Sequence, residues 1–266
     1  MNSTQLNPHN SIHTTQSKRN YLQSSTQALC AVATTAALIN SLRDVGPEFE
    51  LPMDPVYKPF PWATQKNLLA SAADDNCVVE ALGGTLANTD AVYHIGLGFT
   101  MVPRLMNCFL NKNGYDAIGH PAVDDDDETE INTTSASETT KTRVLEALRD
   151  PKKRVVYNYD RGGIGQGPLG HGHWSPLGGY HEATDSFLVM DVAKYKHPMV
   201  WVSWTDLWSG AATIDFCGTT LSLDVYHHPI DWSKGFAGLS NQTKTYLASR
   251  CIPGHRGFVV VGPRED

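Results

Sequence analysis

The sequence predicts an α+β fold in which a helical lobe is followed by a lobe built on an antiparallel β-sheet. A segment of small apolar residues with helical periodicity begins near Cys30. Most of the short runs of β-branched and aromatic residues lie after residue 154. Residues 171–195 have the pattern strand, turn, strand. Helices early in the chain and strands late in the chain are typical of the α+β class.

Composition restricts the class of protein. The chain has 266 residues, which is enough for one domain with a large core. The formal net charge of -7 argues against general attraction to nucleic acid or to anionic membranes. The polar N-terminal stretch lacks the apolar run of a signal peptide or a membrane span. The five cysteines are odd in number and form no CxxC pair, so we interpret them as reduced thiols of a cytoplasmic protein.

The first half of the chain predicts a leader and three helices. Residues 1–19 are polar and predict a disordered leader, which leaves 20–266 as the folded domain. The next segment predicts a buried helix that begins near Cys30, with cap residues among 24–26. One face of that helix carries Val32, Ala36, Ile39 and Leu42. A proline-rich connector then leads to helices over about 65–73 and 102–111, with Pro103 in the first turn of the latter, and a strand at 115–118.

The second half predicts the sheet. Residues 123–142 are acidic and rich in Ser and Thr without periodicity, so we expect a solvated loop insertion rather than a cation site. The glycine-rich segment 160–172 lacks a phosphate-loop pattern and suggests a flexible loop. Besides the hairpin at 171–195, this half predicts helices at 143–149 and 242–249, a helical turn at 204–208, and strands at 155–159, 200–202, 221–226 and 256–261.

The hairpin pairs a histidine with a carboxylate. His173 and Asp191 fall on its two halves, and a carboxylate that orients an imidazole makes a general base, which then needs a nucleophile. Cys30 is the candidate, because the first turn of a helix favours a thiolate. The alternative is that Cys30 only fills the core as a small apolar residue. A zinc cluster of His171, His173 and His181 is less favoured, because it lacks a fourth ligand in register.

Three motifs follow one another along the chain: ALCAVATTAALINSL, NYDRGGIGQGPLGHGHWSPLGGYH and LVMDVAKYKHPMVWV. In this order they resemble the catalytic domain of phytochelatin synthases, which belong to the papain-like cysteine peptidase clan. The separation of eighteen residues between His173 and Asp191 also matches the family's. The resemblance extends from about residue 21 to the closing strand, with the acidic tract as an insertion. It implies a papain-like fold with the active site between the two lobes.

The resemblance also implies a reaction. Cys30 would attack the Cys-Gly carbonyl of glutathione, His173 would protonate the departing glycine, and Asp191 would orient the imidazole. A γ-glutamylcysteinyl thioester remains, and transfer to a second glutathione gives a phytochelatin, whereas transfer to water gives a glutathione hydrolase. The triad does not choose between the two outcomes. A protein of another class, which binds metal or thiols without catalysis, is the third hypothesis.

The lesser site residues are weaker matches to the family. The glutamine of the oxyanion hole stands six residues before the nucleophile in the family, but Ser24 is there, and we favour Gln23 over Gln27. Lys194 and Arg161 are candidates for holding substrate carboxylates, against a surface lysine and a structural salt bridge, respectively. Gly172 is a further candidate for contact with the substrate.

The implied partners are small. We expect glutathione as the substrate, no nucleic acid or membrane partner, no protein metal site and no tightly bound cofactor. Heavy-metal ions such as cadmium or zinc are candidate activators or thiolate-bound substrates, which would connect the chain to metal detoxification. A homodimer is a candidate assembly.

Overall fold

The computed structural model of the protein describes residues 29–43, 49–82, 96–123, 133–166, 172–215 and 254–265. The predicted leader at 1–19, the strand at 221–226 and the helix at 242–249 lie outside these residues. The six α-helices of the described part are α1 (Cys30–Ser41), α2 (Gln65–Ala70), α3 (Asn76–Leu82), α4 (Met101–Leu110), α5 (Thr133–Arg149) and α6 (Trp204–Ala211). The strands are β1 (Tyr115–Pro121), β2 (Arg154–Asp160), β3 (Gly172–His181), β4 (Ser186–Val189), β5 (Val200–Ser203), β6 (Ile214–Asp215), β7 (Gly254–His255) and β8 (Gly257–Pro263).

In the described part of the chain, six strands form one antiparallel sheet in the order β1-β8-β2-β3-β4-β5. The strands β6 and β7 form a separate two-stranded ribbon. The predicted hairpin is present as β3 and β4, joined by a short 3-10 turn in which Asp185 adopts a positive φ of 46°. The α+β class predicted from the sequence is therefore confirmed.

Both faces of the sheet are buried against helices. Successive residues of the central strands point to opposite sides, so each strand contributes side chains to both faces. On one face, Val156 and Trp174 pack with Val259 against the apolar sides of α1–α4. On the other face, Tyr157 and Phe258 pack against α5 and α6. The helices that come early in the chain thus share one side of the sheet.

Helix α1 forms as the apolar spacing predicts. Val32, Ile39 and Leu42 have no exposed surface, and Ala36 is 6% exposed. The predicted Ser/Thr cap is wrong, because the N-cap is Leu29, whose side chain accepts no hydrogen bond. The nucleophile candidate is consequently the first residue of the helix.

The acidic tract differs from the prediction. The loop insertion predicted for residues 123–142 ends at α5, which already begins at Thr133. The N-terminal half of α5 is held by polar tertiary contacts, which a search for apolar periodicity does not detect. Lys141 Nζ lies 2.8 Å from Asp185 Oδ1, and Trp204 Nε1 donates to Ser137 Oγ at 2.8 Å.

The cysteines also differ from the prediction. Cys77 on α3 and Cys108 on α4 form a disulfide, with Cα atoms 5.7 Å apart, where reduced thiols were expected. The helix α3 was not predicted, and the packing of α3 on α4 brings the two sulfur atoms together across 31 residues of sequence.

No helix in the described part of the chain combines the length and the apolar character that a membrane crossing requires.

Candidate active site

Cys30 is fixed against β3 by one turn of helix α1. Thr34 Oγ1 donates to the Trp174 carbonyl at 2.9 Å, and the backbone N–H of Trp174 lies near enough to the Cys30 sulfur to lower the pKa of the thiol. Cys30 and Thr34 are four residues apart and share a helix face. The thiol therefore lies beside the residue that follows His173 in the chain. Cys30 is partly buried and is the only free cysteine in the part of the chain that the structure describes.

The structure brings His173 and Asp191 into direct contact. His173 Nε2 lies 2.9 Å from Asp191 Oδ1, and the two residues are 3% and 0% exposed. The backbone N–H of Ala193 donates to the same carboxylate oxygen at 2.8 Å. The ring of Tyr159 meets the imidazole edge to face, with centroids 5.6 Å apart. These contacts fix the orientation of the imidazole and direct Nε2 to the carboxylate.

Arg161 is part of the same cluster. Its Nη1 lies 3.1 Å from Asp191 Oδ2, and its Nη2 lies 3.3 Å from Asp191 Oδ1. Nη2 is also 2.7 Å from His173 Nε2, while Nη1 donates to Gln166 Oε1 at 2.7 Å. The salt bridge that the sequence offered as one reading of Arg161 is therefore present, and it is formed with the residue that orients the histidine.

The electrostatics favour a neutral thiol and a neutral imidazole. Burial raises the pKa of the Cys30 thiol, against the hydrogen bond from Trp174 and the positive charge of Arg161. Burial also lowers the pKa of His173, which the hydrogen bond to Asp191 opposes. Burial alone would raise the pKa of Asp191, but the His173 hydrogen bond and charge, the Ala193 N–H and Arg161 together lower it. The thiolate expected from the helix terminus is thus not the favoured resting form, because desolvation outweighs the groups that stabilise it.

A second buried cluster of charge lies close to Cys30. Asp215 accepts hydrogen bonds from the Phe99 N–H at 2.7 Å and from Asn158 Nδ2 at 2.8 Å, and its charge raises the pKa of the Cys30 thiol. Arg256 Nη2 is 3.9 Å from Asp215 Oδ1. Within the described residues, Asn158 Oδ1 and Arg256 Nε are buried without a hydrogen-bond partner. Buried polar atoms of this kind are candidates for contact with a ligand.

Gly172 has a structural explanation in this cluster. A Cβ at this position would lie 3.0 Å from Arg256 Nη2, so the absence of a side chain leaves room for the guanidinium beside β3. Sequence reasoning missed Asp215 and Arg256. They stand at the ends of short strands that are 41 residues apart, and no local pattern connects them.

Gln65 is another residue that the sequence did not single out. Its Nε2 donates to the Leu29 carbonyl at 3.2 Å, and the same oxygen accepts the Ala33 N–H at 2.9 Å. Leu29 and Cys30 share one peptide plane, so fixing the carbonyl also fixes the direction of the Cys30 N–H. That N–H is a backbone donor available to the oxyanion that forms when the Cys30 sulfur attacks a carbonyl group.

The remaining predicted residues are less informative. Lys194 is exposed in a turn after β4. Gln23, the candidate for the second oxyanion donor, and His171 of the zinc alternative lie outside the described residues. Within the described ranges, no group of three or more His, Cys, Asp or Glu side chains is arranged to hold a metal ion.

Comparison with known proteins identifies the family of the chain and several relatives. The sequence model of the family described as phytochelatin synthase matches residues 7–220. Glutathione gamma-glutamylcysteinyltransferase 3 of Lotus japonicus is 41% identical over 73 residues, which are 27% of this chain and 15% of the relative. Glutathione gamma-glutamylcysteinyltransferase 1 of Arabidopsis thaliana is 36% identical over 72 residues, 27% of this chain and 14% of the relative. The glutathione gamma-glutamylcysteinyltransferase of Schizosaccharomyces pombe is 39% identical over 49 residues, 18% of this chain and 12% of the relative.

These matches to single relatives are short, and each spans less than a fifth of the relative's length. The family match is much broader and contains Cys30, His173 and Asp191 within its bounds. On that match, the chain belongs to the phytochelatin synthase family.

Proposed function

We propose that this chain is a glutathione γ-glutamylcysteinyltransferase of the phytochelatin synthase type, with a papain-like fold and a Cys30-His173-Asp191 triad. The observation that carries the proposal is that the helix turn of Cys30 packs on Trp174, the residue after His173, whose Nε2 faces the buried Asp191 carboxylate. Family membership and the names of the relatives support glutathione as the substrate.

The reaction uses the triad in two steps. In the first, His173 takes the thiol proton at Nδ1, and the Cys30 thiolate attacks the carbonyl of the Cys-Gly bond of glutathione. His173 then donates that proton to the departing glycine amine, and a γ-glutamylcysteinyl thioester remains. In the second step, the α-amine of another glutathione attacks the thioester, and its proton passes to His173 as the thiolate leaves.

The buried charges near Cys30 fit the amino-acid end of the substrate. The γ-glutamyl group carries an ammonium and a carboxylate on one carbon. A carboxylate at Asp215 and a guanidinium at Arg256, 3.9 Å apart, match that pair of charges in sign and spacing. The hydrogen bonds from Phe99 and Asn158 hold Asp215 in place. We therefore assign the γ-glutamyl end to this cluster, with the scissile carbonyl over the thiol.

The experiment is incubation of the protein with glutathione, with and without cadmium, followed by separation of products. Free glycine together with γ-glutamylcysteine oligomers is the expected result. Glycine with only γ-glutamylcysteine would support the hydrolase alternative, for which the same triad suffices. No glycine release under either condition would overturn both enzymatic proposals and favour the thiol-binding alternative.

The nucleophile is tested by Cys30→Ala, with Cys217→Ala as a matched control that also removes one cysteine side chain. We expect Cys30→Ala to abolish glycine release with an unchanged circular dichroism spectrum, and Cys217→Ala to retain it. Retained glycine release in Cys30→Ala would overturn the assignment of the nucleophile.

The compartment has arguments on both sides. Glutathione is the thiol that keeps the cytosol reduced, so the proposed substrate favours a cytoplasmic protein. The Cys77–Cys108 disulfide favours an oxidising environment, because disulfides are rare in reducing compartments. We propose the cytoplasm on the ground of the substrate, and fractionation of cells that express the full chain tests it: recovery in the cytosol supports the proposal, and recovery in an oxidising compartment would overturn it.

A further inference from the structure

Two groups compete for one nitrogen of His173. Arg161 Nη2 lies 2.7 Å from Nε2, and Asp191 Oδ1 lies 2.9 Å from the same atom. A guanidinium can only donate hydrogen bonds, and an ionised carboxylate can only accept them. Arg161 therefore needs a lone pair on Nε2, whereas Asp191 needs a proton there. The nitrogen can satisfy one of the two partners at a time.

The choice decides whether the imidazole can act as a base. A neutral imidazole carries one proton on one of its two nitrogens. When Nε2 accepts from Arg161, the proton is on Nδ1, and Nδ1, the nitrogen that takes the thiol proton in the proposed reaction, then has no lone pair for it. When Nε2–H donates to Asp191, the lone pair is on Nδ1, and the thiol proton can be transferred to it.

The surroundings of His173 agree with a restrained base. Tyr159 and Arg161 come from the end of β2, and Cys30 on α1 lies near enough to Tyr159 for its charge to raise the pKa of the Tyr159 hydroxyl. Asp191 and His197 come from the segment after β4, together with Lys196, whose pKa burial lowers and the charge of Arg161 lowers further. Besides burial, the charges of Arg161 and His197 disfavour an imidazolium, and Asp191 favours it. The doubly protonated ring would place an N–H of His173 directly against an N–H of Arg161.

We propose that Arg161 is a positioning residue that holds His173 in the Nδ1–H tautomer, in which it cannot deprotonate Cys30, and that the triad becomes competent when Nε2 passes from Arg161 to Asp191. The exchange does not require Arg161 to leave the site. A rotation of the guanidinium that keeps the bond from Nη1 to Asp191 Oδ2 is enough to free Nε2. The new tautomer forms by loss of the Nδ1 proton to solvent and gain of a solvent proton at Nε2. The inference rests on the proposed function only for the roles of Cys30 and His173.

The first test is the tautomer itself. Side-chain ¹⁵N spectra of the full chain distinguish a protonated from an unprotonated ring nitrogen, and the His173 signals are assigned by their loss in His173→Gln. We expect Nδ1–H in the free wild-type protein and Nε2–H in Arg161→Met. Wild-type protein that already carries the proton on Nε2 would overturn the proposal.

The second test is the rate at which iodoacetamide alkylates Cys30, because charge and tautomer predict opposite signs. The positive charge of Arg161 lowers the pKa of the Cys30 thiol, so loss of charge alone would slow alkylation. Release of the base predicts the reverse, and we expect Arg161→Met and Arg161→Gln to be alkylated faster near neutral pH, by about tenfold.

Lys196→Met is the matched control, because it removes a nearby positive charge that has no contact with Nε2. We expect it to leave alkylation unchanged or slower. Slower alkylation in both Arg161 variants, or equal acceleration in Lys196→Met, would refute the tautomer restraint. Arg161→Gln retains a hydrogen-bond donor toward Asp191, so it remains testable if Arg161→Met does not fold. The ¹⁵N spectrum of the wild-type protein tests the tautomer without any variant of Arg161.

Neither measurement uses glutathione. A shifted tautomer without glycine release would therefore remove the proposed function and leave this inference intact. Glycine release by a wild-type protein that carries Nε2–H in its free form would overturn this inference and leave the proposed function intact.

Discussion

Neutralising Asp191 should lower the free energy of unfolding, because the carboxylate belongs to a buried cluster of charges. The carboxylate has no exposed surface, and its partner Arg161 has a side chain that is 12% exposed. It receives two N–H groups of the guanidinium, at 3.1 and 3.3 Å, in addition to His173 and the Ala193 N–H. Asp191→Asn preserves the shape of the side chain but leaves the guanidinium without its counter-charge. Removing one partner of a buried ion pair costs about 3–5 kcal/mol.

That loss is a large part of the stability of an ordinary domain, which is about 5–15 kcal/mol. The assay is urea unfolding at neutral pH followed by circular dichroism, with the midpoint and slope compared between wild type and Asp191→Asn. A loss below about 1 kcal/mol, the size typical of solvated pairs, would refute the view that this pair is desolvated.

The dependence of stability on acid pH provides a second test of the Asp191→Asn variant. The pKa of Asp191 is lower in the folded state than its usual value, so its contribution is present above the unfolded pKa of about 3.9 and is lost as the pH falls through the folded pKa. Wild type should therefore lose more stability on acidification than Asp191→Asn. The double variant with Arg161→Met should cost less than the sum of the two single variants, because it leaves no unpaired charge. Additive losses would contradict the coupling.

Three further predictions concern neighbouring features. Gln65→Leu frees the peptide that carries the Cys30 N–H, and we expect kcat for glycine release to fall with little change in KM; a change in KM alone would contradict this role. Asp215→Asn should instead raise KM for glutathione, and an unchanged KM would remove the γ-glutamyl end from that cluster. Reduction of the Cys77–Cys108 bond should lower the free energy of unfolding by about 2–4 kcal/mol, measured in urea with and without reductant, whereas equal stability would show that the bond does not restrain the unfolded chain.

Local pattern was sufficient for the parts of the site that lie on regular elements. The apolar spacing after Cys30 fixes the helix, and the β3–β4 hairpin places His173 and Asp191 within reach of each other. The helical residues 133–142 were missed, because polar contacts such as Lys141 with Asp185 anchor that part of α5 rather than an apolar stripe.

Other parts of the site depend on contacts between distant segments. The Asp215–Arg256 pair and the Cys77–Cys108 bond join residues that are far apart in sequence, and only the packed elements bring them together. The state of Cys30 was misjudged for a related reason. A helix terminus stabilises a thiolate by a local effect, but the desolvation that opposes it comes from the whole surrounding fold.

The contact between α1 and Trp174 has a mechanical consequence. One turn of helix meets both ends of a single residue of β3: the hydroxyl of Thr34 donates to the Trp174 carbonyl, and the sulfur of Cys30 lies near the Trp174 N–H. Relative movement of the helix and the sheet at this point would have to break the Thr34 hydrogen bond and move the sulfur away from that N–H. In the proposed triad, the backbone of β3 therefore connects the position of Cys30 to that of His173, the preceding residue of the same strand. A substitution that shifts β3 by altering its pairing with β2 would change reactivity at the thiol without touching any member of the triad.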